Sequence, residues 1–192
     1  MILKTAYNMF LFRNYEAVTI NSIIKNTGLT KGAIYHYYDS KEALFKAVVE
    51  EYMLETRKDF FCEFSSLKEF IQHLVNLVKE KMSKLVGDNT DTNSGVPINY
   101  LSLMVSAYRY YPDFAKIGKE FFNNQNLRWE MVIKKAIENN EIKEDIDVEA
   151  TIANFMSASS WIITNIMSKG SLTYGLEMFE SQCRQLYNSL KK

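Results

Sequence analysis

Apolar positions recur along this chain with the spacing of helices almost throughout. Leu3, Ala6, Tyr7, Phe10 and Leu11 fall on one stripe. Asn14 then marks the expected stop, because Asn tolerates the left-handed backbone that often ends a helix. Thr19 suits the N-cap of a short helix bearing Ile20, Ile23 and Ile24, which ends at Gly28. Thr30 opens a shorter one through Tyr37, and Asp39-Ser40 caps a longer one carrying Leu44, Phe45, Val48, Val49, Tyr52 and Met53. Ser66 and Glu69 have capping-box spacing ahead of Leu67, Phe70, Ile71, Leu74, Val75 and Val78.

Residues 87–97, GDNTDTNSGVP, break the periodicity and read as a loop. A helix is predicted from Ile98 to about Tyr111, and Pro112 suits the first turn of the next, which extends to Asn139-Asn140. Asp147 caps another helix to about Ser168, and Gly170 separates it from a last one at 172–190. The predicted class is all-α. Composition agrees: 7 Gly and 2 Pro in 192 residues are too few punctuators for a turn-dense β-sandwich or barrel.

Net charge is zero, which excludes strong polyanion binding by the whole chain but leaves room for a local patch. Residues 1–50 carry 6 basic and 4 acidic residues, so this end is the one suited to a phosphate backbone. No apolar run reaches the roughly 18 residues of a membrane span, so no membrane partner is expected. No signal-peptide pattern opens the chain, and Cys62 and Cys183 suit reduced core thiols; both point to the cytoplasm.

Candidate chemistry sits in the first 50 residues. Two short helices joined at Gly28 have the proportions of a helix-turn-helix. The second reads Thr30-Lys31-Gly32-Ala33-Ile34-Tyr35-His36-Tyr37. Lys31 can reach guanine acceptors or phosphate, Gly32 lets backbone come close, Ala33 can touch a thymine methyl, and Tyr35 can bond phosphate. Lys41 lies in the first turn of the next helix, where amides also favour phosphate. Taken alone, the pattern fits a small helical bundle with ordinary polar surface better than it fits a DNA reader.

The stretch Ile2–Phe45 resembles the DNA-binding domain of the TetR family of bacterial transcriptional regulators. The resemblance rests on Ala6-Tyr7-Asn8-Met9-Phe10, Asn14-Tyr15-Glu16-Ala17-Val18-Thr19-Ile20, the run Gly28-Leu29-Thr30-Lys31-Gly32-Ala33-Ile34-Tyr35-His36-Tyr37-Tyr38, and Ser40-Lys41-Glu42-Ala43-Leu44-Phe45. Asn14 stands where the family usually has Gly. The resemblance implies a dimeric repressor that places its second short helix in the major groove of operator DNA. By position, Thr19 and Ile20 would open the supporting helix near phosphate, Lys31, Gly32 and Ala33 would face the groove, Tyr35, Tyr37 and Lys41 would grip the backbone, and His36 would reach bases or phosphate. The domains expected are a helix-turn-helix module at 1–45 and a helical ligand-binding and dimerisation body at 46–192.

In the last helix Leu172, Leu176, Phe179, Cys183, Leu186 and Leu190 step by four and three, the spacing of a helix–helix seam. The helix before it, with Ile152, Met156 and Ile163, is apolar or small nearly all round. Together these nine residues form the expected dimer interface, and packing within a single chain is the alternative. Phe70, His73, Met104, Tyr108, Phe121, Trp129 and Trp161 are the candidates to line a pocket for a small apolar or aromatic effector, although the same residues also suit an ordinary core. An enzyme is the rival class. Glu69 and His73 lie one helical turn apart, but two groups do not make a metal or acid–base site, and no phosphate loop, nucleotide fingerprint or nucleophile elbow is present. No catalytic residue, metal or cofactor is expected.

Overall fold

A computed structural model of the chain describes residues 1–54, 63–86, 96–169 and 171–192. Most of the predicted loop at 87–97 lies outside the described residues, as do Cys62 and Gly170. The described residues form helices α1 (Ile2–Phe12), α2 (Ile20–Thr27), α3 (Lys31–Tyr37), α4 (Lys41–Val49), α5 (Leu67–Val86), α6 (Val96–Tyr110), α7 (Phe114–Glu138), α8 (Val148–Lys169) and α9 (Leu172–Leu190). The all-α expectation holds.

The caps explain the boundaries. Thr19, Thr30, Ser40 and Ser171 each accept a backbone N–H three residues on, at the start of α2, α3, α4 and α9. Asp147 does the same for α8, with Ala150 N–H donating at 2.9 Å. Gly28 ends α2 at φ 70°, a conformation that L side chains rarely adopt. Asn14 is not left-handed; Arg13 ends α1 in extended backbone, and the Asn14 Oδ1 accepts the Ala17 N–H at 2.9 Å, fastening the turn into α2.

Four other expectations are corrected. The helix after Ser40 is regular only to Val49, and Glu50–Leu54 widens into a π-helical turn. α6 begins at Val96, which places Pro97 in its first turn. Pro112 is not in α7; it belongs to a turn in which Asp113 adopts φ 64°, and α7 begins at Phe114. The capping box of α5 is shifted by one residue. Ser66 Oγ accepts the Glu69 N–H at 3.1 Å, while the Glu69 carboxylate takes the N–H and hydroxyl of Ser65 at 2.8 and 2.6 Å.

The chain divides into two compact units. The first comprises residues 1–62 and 98–119, so it is larger than the module at 1–45 and takes in most of α6 and the first turns of α7. Its core is Ala6, Phe10, Val18, Ile23, Ile34, Leu44, Phe45 and Val48, all buried. Phe45 meets Phe10 and Tyr15 edge-on, with ring centroids 5.0 and 4.8 Å apart. Gly118 sits where a Cβ would lie 3.0 Å from the Tyr108 hydroxyl, so the start of α7 approaches α6 closely.

The second unit comprises residues 63–97 and 120–192. Leu67, Phe70, Trp129, Ile133, Phe155, Ile162, Phe179 and Cys183 form its buried core. Trp129 stacks on Phe155 at 4.7 Å and meets Phe70 edge-on at 4.6 Å. Asn140, at φ 57°, closes α7 in a Schellman turn: its N–H reaches Ile137 O, and the Glu141 N–H reaches Ala136 O at 2.8 Å. That turn aims Glu141 at the start of α5. Its carboxylate accepts the N–H groups of Leu67 and Lys68, both at 2.9 Å, and the Tyr187 hydroxyl of α9 at 2.9 Å.

Three of the nine residues expected at a dimer interface lie in the core of a single chain. Phe179 and Cys183 are fully buried within one chain, and Ile152 is nearly so. Met156, Leu172, Leu176, Leu186 and Leu190 pack against that same core, and Ile163 is partly buried. A side chain already without solvent in one copy has nothing left to bury against a second. Burial pushes the Cys183 thiol up to about 12, so it stays protonated and inert.

Candidate nucleic-acid interface

The helix-turn-helix is built from α2, the Gly28 turn and α3. Ile23 and Ile34 point inward and lose all exposure, which fixes the opposite faces of α2 and α3 outward. On α3 the outward residues are Lys31, Gly32, Tyr35, His36 and Tyr37, with Ala33 half-buried. Tyr37 is 69% exposed and Tyr35 40%, high values for aromatic rings with no role in packing. The Lys31 ammonium lies 5.6 Å from the centre of the Tyr35 ring, and the His36 and Tyr37 rings meet edge-on at 5.0 Å. A Cβ added at Gly32 would meet nothing within 4 Å. Glycine there opens the surface without relieving any crowding inside the chain.

Thr19 and Ile20 stand at the start of α2. The Thr19 hydroxyl accepts the Ser22 N–H at 3.1 Å, and Ser22 Oγ accepts the Thr19 N–H at 3.0 Å, so both ends of a capping box are closed. Ile20 is half-buried beside them. Lys41 opens α4, but its ammonium is not loose. It donates to the Tyr15 carbonyl at 3.0 Å and lies 4.0 Å over the Tyr15 ring. Its neighbour Glu42 accepts the Tyr15 hydroxyl at 3.0 Å, and its carboxyl is held below the usual range by its own backbone N–H, then by Ser40 and Tyr15. Tyr15 was legible in the sequence only as part of the matching stretch; nothing there marked it as the seat of Lys41.

Of the seven pocket candidates, five lie in the second unit and two in the first. Phe70 and Trp129 are core residues of the second unit. His73 lies beside them, its ring 5.0 Å from Phe64, with Nε2 buried and no hydrogen-bond partner. Phe121 is half-buried further along α7. Met104 and Tyr108 belong to the first unit, and Tyr108 is 51% exposed. Trp161 is 54% exposed, in an open groove of about 370 Å³ between α8 and α9 that Asn154, Ser157, Gln185 and Ser189 also line. The Glu69–His73 pair fails, because the Glu69 carboxylate is taken by Ser65. Among the described residues no three His, Cys, Asp or Glu side chains gather as metal ligands, and no helix is long and apolar enough to cross a membrane.

Residues 2–48 match the sequence family described as bacterial regulatory proteins, tetR family. The chain is 27% identical over 163 residues to the HTH-type transcriptional regulator YxaF of Bacillus subtilis, covering 81% of this chain and 78% of that one. It is 23% identical over 172 residues to the HTH-type transcriptional repressor KstR2 of Rhodococcus jostii, covering 84% and 75%. Its fold matches the crystal structure of a transcriptional regulator from Saccharomonospora viridis in complex with choline, with TM-score 0.62, 14% identity, and coverage of 94% and 92%. The helix-turn-helix lies inside the matched segment, so residues 2–48 carry a DNA-binding domain of the tetR type, and the chain is a DNA-binding transcriptional regulator similar to these relatives over most of its length.

Proposed function

We propose that the protein is a homodimeric repressor that reads operator DNA with α3 and leaves it when a small apolar or aromatic effector binds the second unit. The observation that carries the DNA part is the outward face of α3. It gathers a cation, two exposed tyrosines, an imidazole and an open glycine on a helix whose opposite face is locked in a core. In this reading Lys31, Gly32 and Ala33 enter the major groove. Tyr35, Tyr37, Lys41 and the α2 start at Thr19 and Ile20 hold phosphates, and His36 reaches either.

Supporting the dimer is the α8–α9 groove. Trp161 is exposed there, and the Gln182 Oε1 is buried without a hydrogen-bond partner. A second copy seated on this face would cover the indole and offer the amide oxygen a donor. The interface would then use Asn154, Ser157, Trp161 and Gln185 in place of Phe179 and Cys183. In the second unit the unpaired His73 Nε2 is a polar atom that an effector could satisfy, beside the Phe64, Phe70 and Trp129 rings. The choline complex of the Saccharomonospora viridis regulator supports small-molecule binding by this fold.

The test selects duplexes from a randomised pool and measures binding by anisotropy. The selected sites should be pseudo-palindromic. Folded Tyr35→Ala/Lys41→Ala should bind every sequence less tightly, by about 1 kcal/mol or more for a charged phosphate contact. Lys31→Ala should change which bases are preferred. Unchanged affinity in the double variant would overturn the assignment of this face.

A further inference from the structure

Tyr15 ties several elements of the first unit together. It follows α1 directly and is 5% exposed. Its ring stacks on Tyr110, the last residue of α6, with centroids 4.1 Å apart and planes 20° apart. The Lys41 ammonium lies 4.0 Å over the same ring. Tyr110 and the Lys41 ammonium are thus both packed closely against this ring, and Phe10 lies near-parallel to it with centroids 5.8 Å apart. The Phe45 ring meets Tyr15 edge-on. Two directional contacts secure the cluster: the Tyr15 hydroxyl donates to Glu42, and the Tyr110 hydroxyl donates to Glu16.

Resting on the reading of Lys41 as a phosphate contact, we infer that Tyr110 is a positioning residue for DNA binding, seating the Lys41 ammonium through the Tyr15 ring. A lysine ammonium has three N–H donors. One goes to the Tyr15 carbonyl at 3.0 Å, which leaves two for a phosphate while the flexible stem is already held in place. Without Tyr110, Tyr15 loses its nearest stacked ring, and its own ring and carbonyl are freer to shift. The charge of Lys41 would remain, but its seat would go. α6 therefore reaches the DNA-contacting surface through one ring, and anything that moves its end changes how well Lys41 is placed. Tyr110 would touch no DNA itself.

A thermodynamic cycle tests this with the full-length protein and its selected operator. The variants are Lys41→Met, Tyr110→Leu and the pair, with affinity measured over a range of salt. If one phosphate in each of two half-sites is no longer neutralised, the slope of log K against log salt should fall by roughly 2. Lys41→Met and Tyr110→Leu should each show this reduced slope, with a roughly 10-fold loss of affinity. The pair should lose no more than Lys41→Met alone. Tyr110→Phe keeps the ring and removes only the Glu16 bond, so it should retain the full slope. Losses that simply add, or an unchanged slope in Tyr110→Leu, would overturn the inference and leave Tyr110 a structural residue. An unchanged slope in Lys41→Met would instead remove the phosphate role of Lys41, and the inference with it. If Tyr110→Leu does not fold, Tyr110→Met keeps apolar bulk without a ring and gives the same reading.

Discussion

Both compact units have apolar cores, but the contacts that accompany those cores differ. In the first, tyrosines tie elements together through their hydroxyls: Tyr15 to Glu42, Tyr110 to Glu16 and Tyr111 to Glu50, with Tyr7 stacked on Tyr52 at 4.2 Å. In the second, Phe155, Phe179, Ile133 and Ile162 fill an apolar core, and one carboxylate, Glu141, draws α5 and α9 to the end of α7. Hydrogen bonds and stacked rings depend on angle, so they fix orientation. Apolar burial depends mainly on area, so it fixes stability and tolerates changes of shape. A surface that must match DNA gains from the first kind, and the stability of the second unit rests on the second.

The largest expected effect tests the apolar half of that contrast. Phe179→Ala should destabilise the second unit by about 3–5 kcal/mol, as expected for truncating a fully buried aromatic ring. Urea denaturation followed by circular dichroism measures it, and the loss should not depend on protein concentration. A loss that appeared only on dilution would place Phe179 between copies after all. Next comes Glu141→Ala, which leaves the Leu67 and Lys68 N–H groups and the Tyr187 hydroxyl without their carboxylate. A cost of about 1–3 kcal/mol is expected. If Glu141→Ala were neutral, the second unit would be held by burial alone and the contrast would be sharper than drawn.

A smaller effect is read in alkali. Burial first, and then the hydrogen bond to Glu141, pushes the Tyr187 phenol up to about 12. Its folded value is above its unfolded one, so its contribution is fully present below pH 10 and is lost as pH rises towards 12. Tyr187→Phe should therefore lose less stability than the unmutated protein between pH 10 and 12. Tyr7 and Tyr15, also raised chiefly by burial, continue to titrate in both proteins. Parallel curves for the two proteins would mean that Tyr187 contributes nothing to the alkaline response.

The smallest effect has opposite signs in two assays. Gly32→Ala meets no steric obstacle and should stabilise α3 by up to about 1 kcal/mol through helix propensity. It should nonetheless weaken operator binding if the α3 backbone approaches the bases. A variant both more stable and equally tight on DNA would move Gly32 away from the groove.

Much of this was legible because capping is local. Thr19, Thr30, Ser40 and Asp147 act within three residues of themselves, and Gly28 sits where the left-handed turn is needed. Contacts across distance were not. Glu141 carries no local signal of its role, yet it caps a helix that begins 74 residues earlier. The α9 seam was visible as a seam, but the same four–three spacing serves a chain's own core and an interface between copies alike. Phe70, Trp129, Tyr108 and Trp161 are alike in composition, and only the faces of their helices separate two core residues from two exposed ones. Lys41 was visible as a cation in a matching stretch; its seat on Tyr15 depends on a residue that the turn after α1 brings beneath it.

The Glu16–Tyr110 bond spans 94 residues of chain. At a ribosome speed of about 5–20 residues per second, α6 emerges roughly 5–20 s after the turn that carries Tyr15. Until then the nascent helix-turn-helix has every residue of its reading face but lacks the ring that covers Tyr15. With Tyr110 seating Lys41 as inferred above, the DNA-facing surface would be finished only after more than half of the chain has been made, and a truncated product ending before α6 would carry it unfinished.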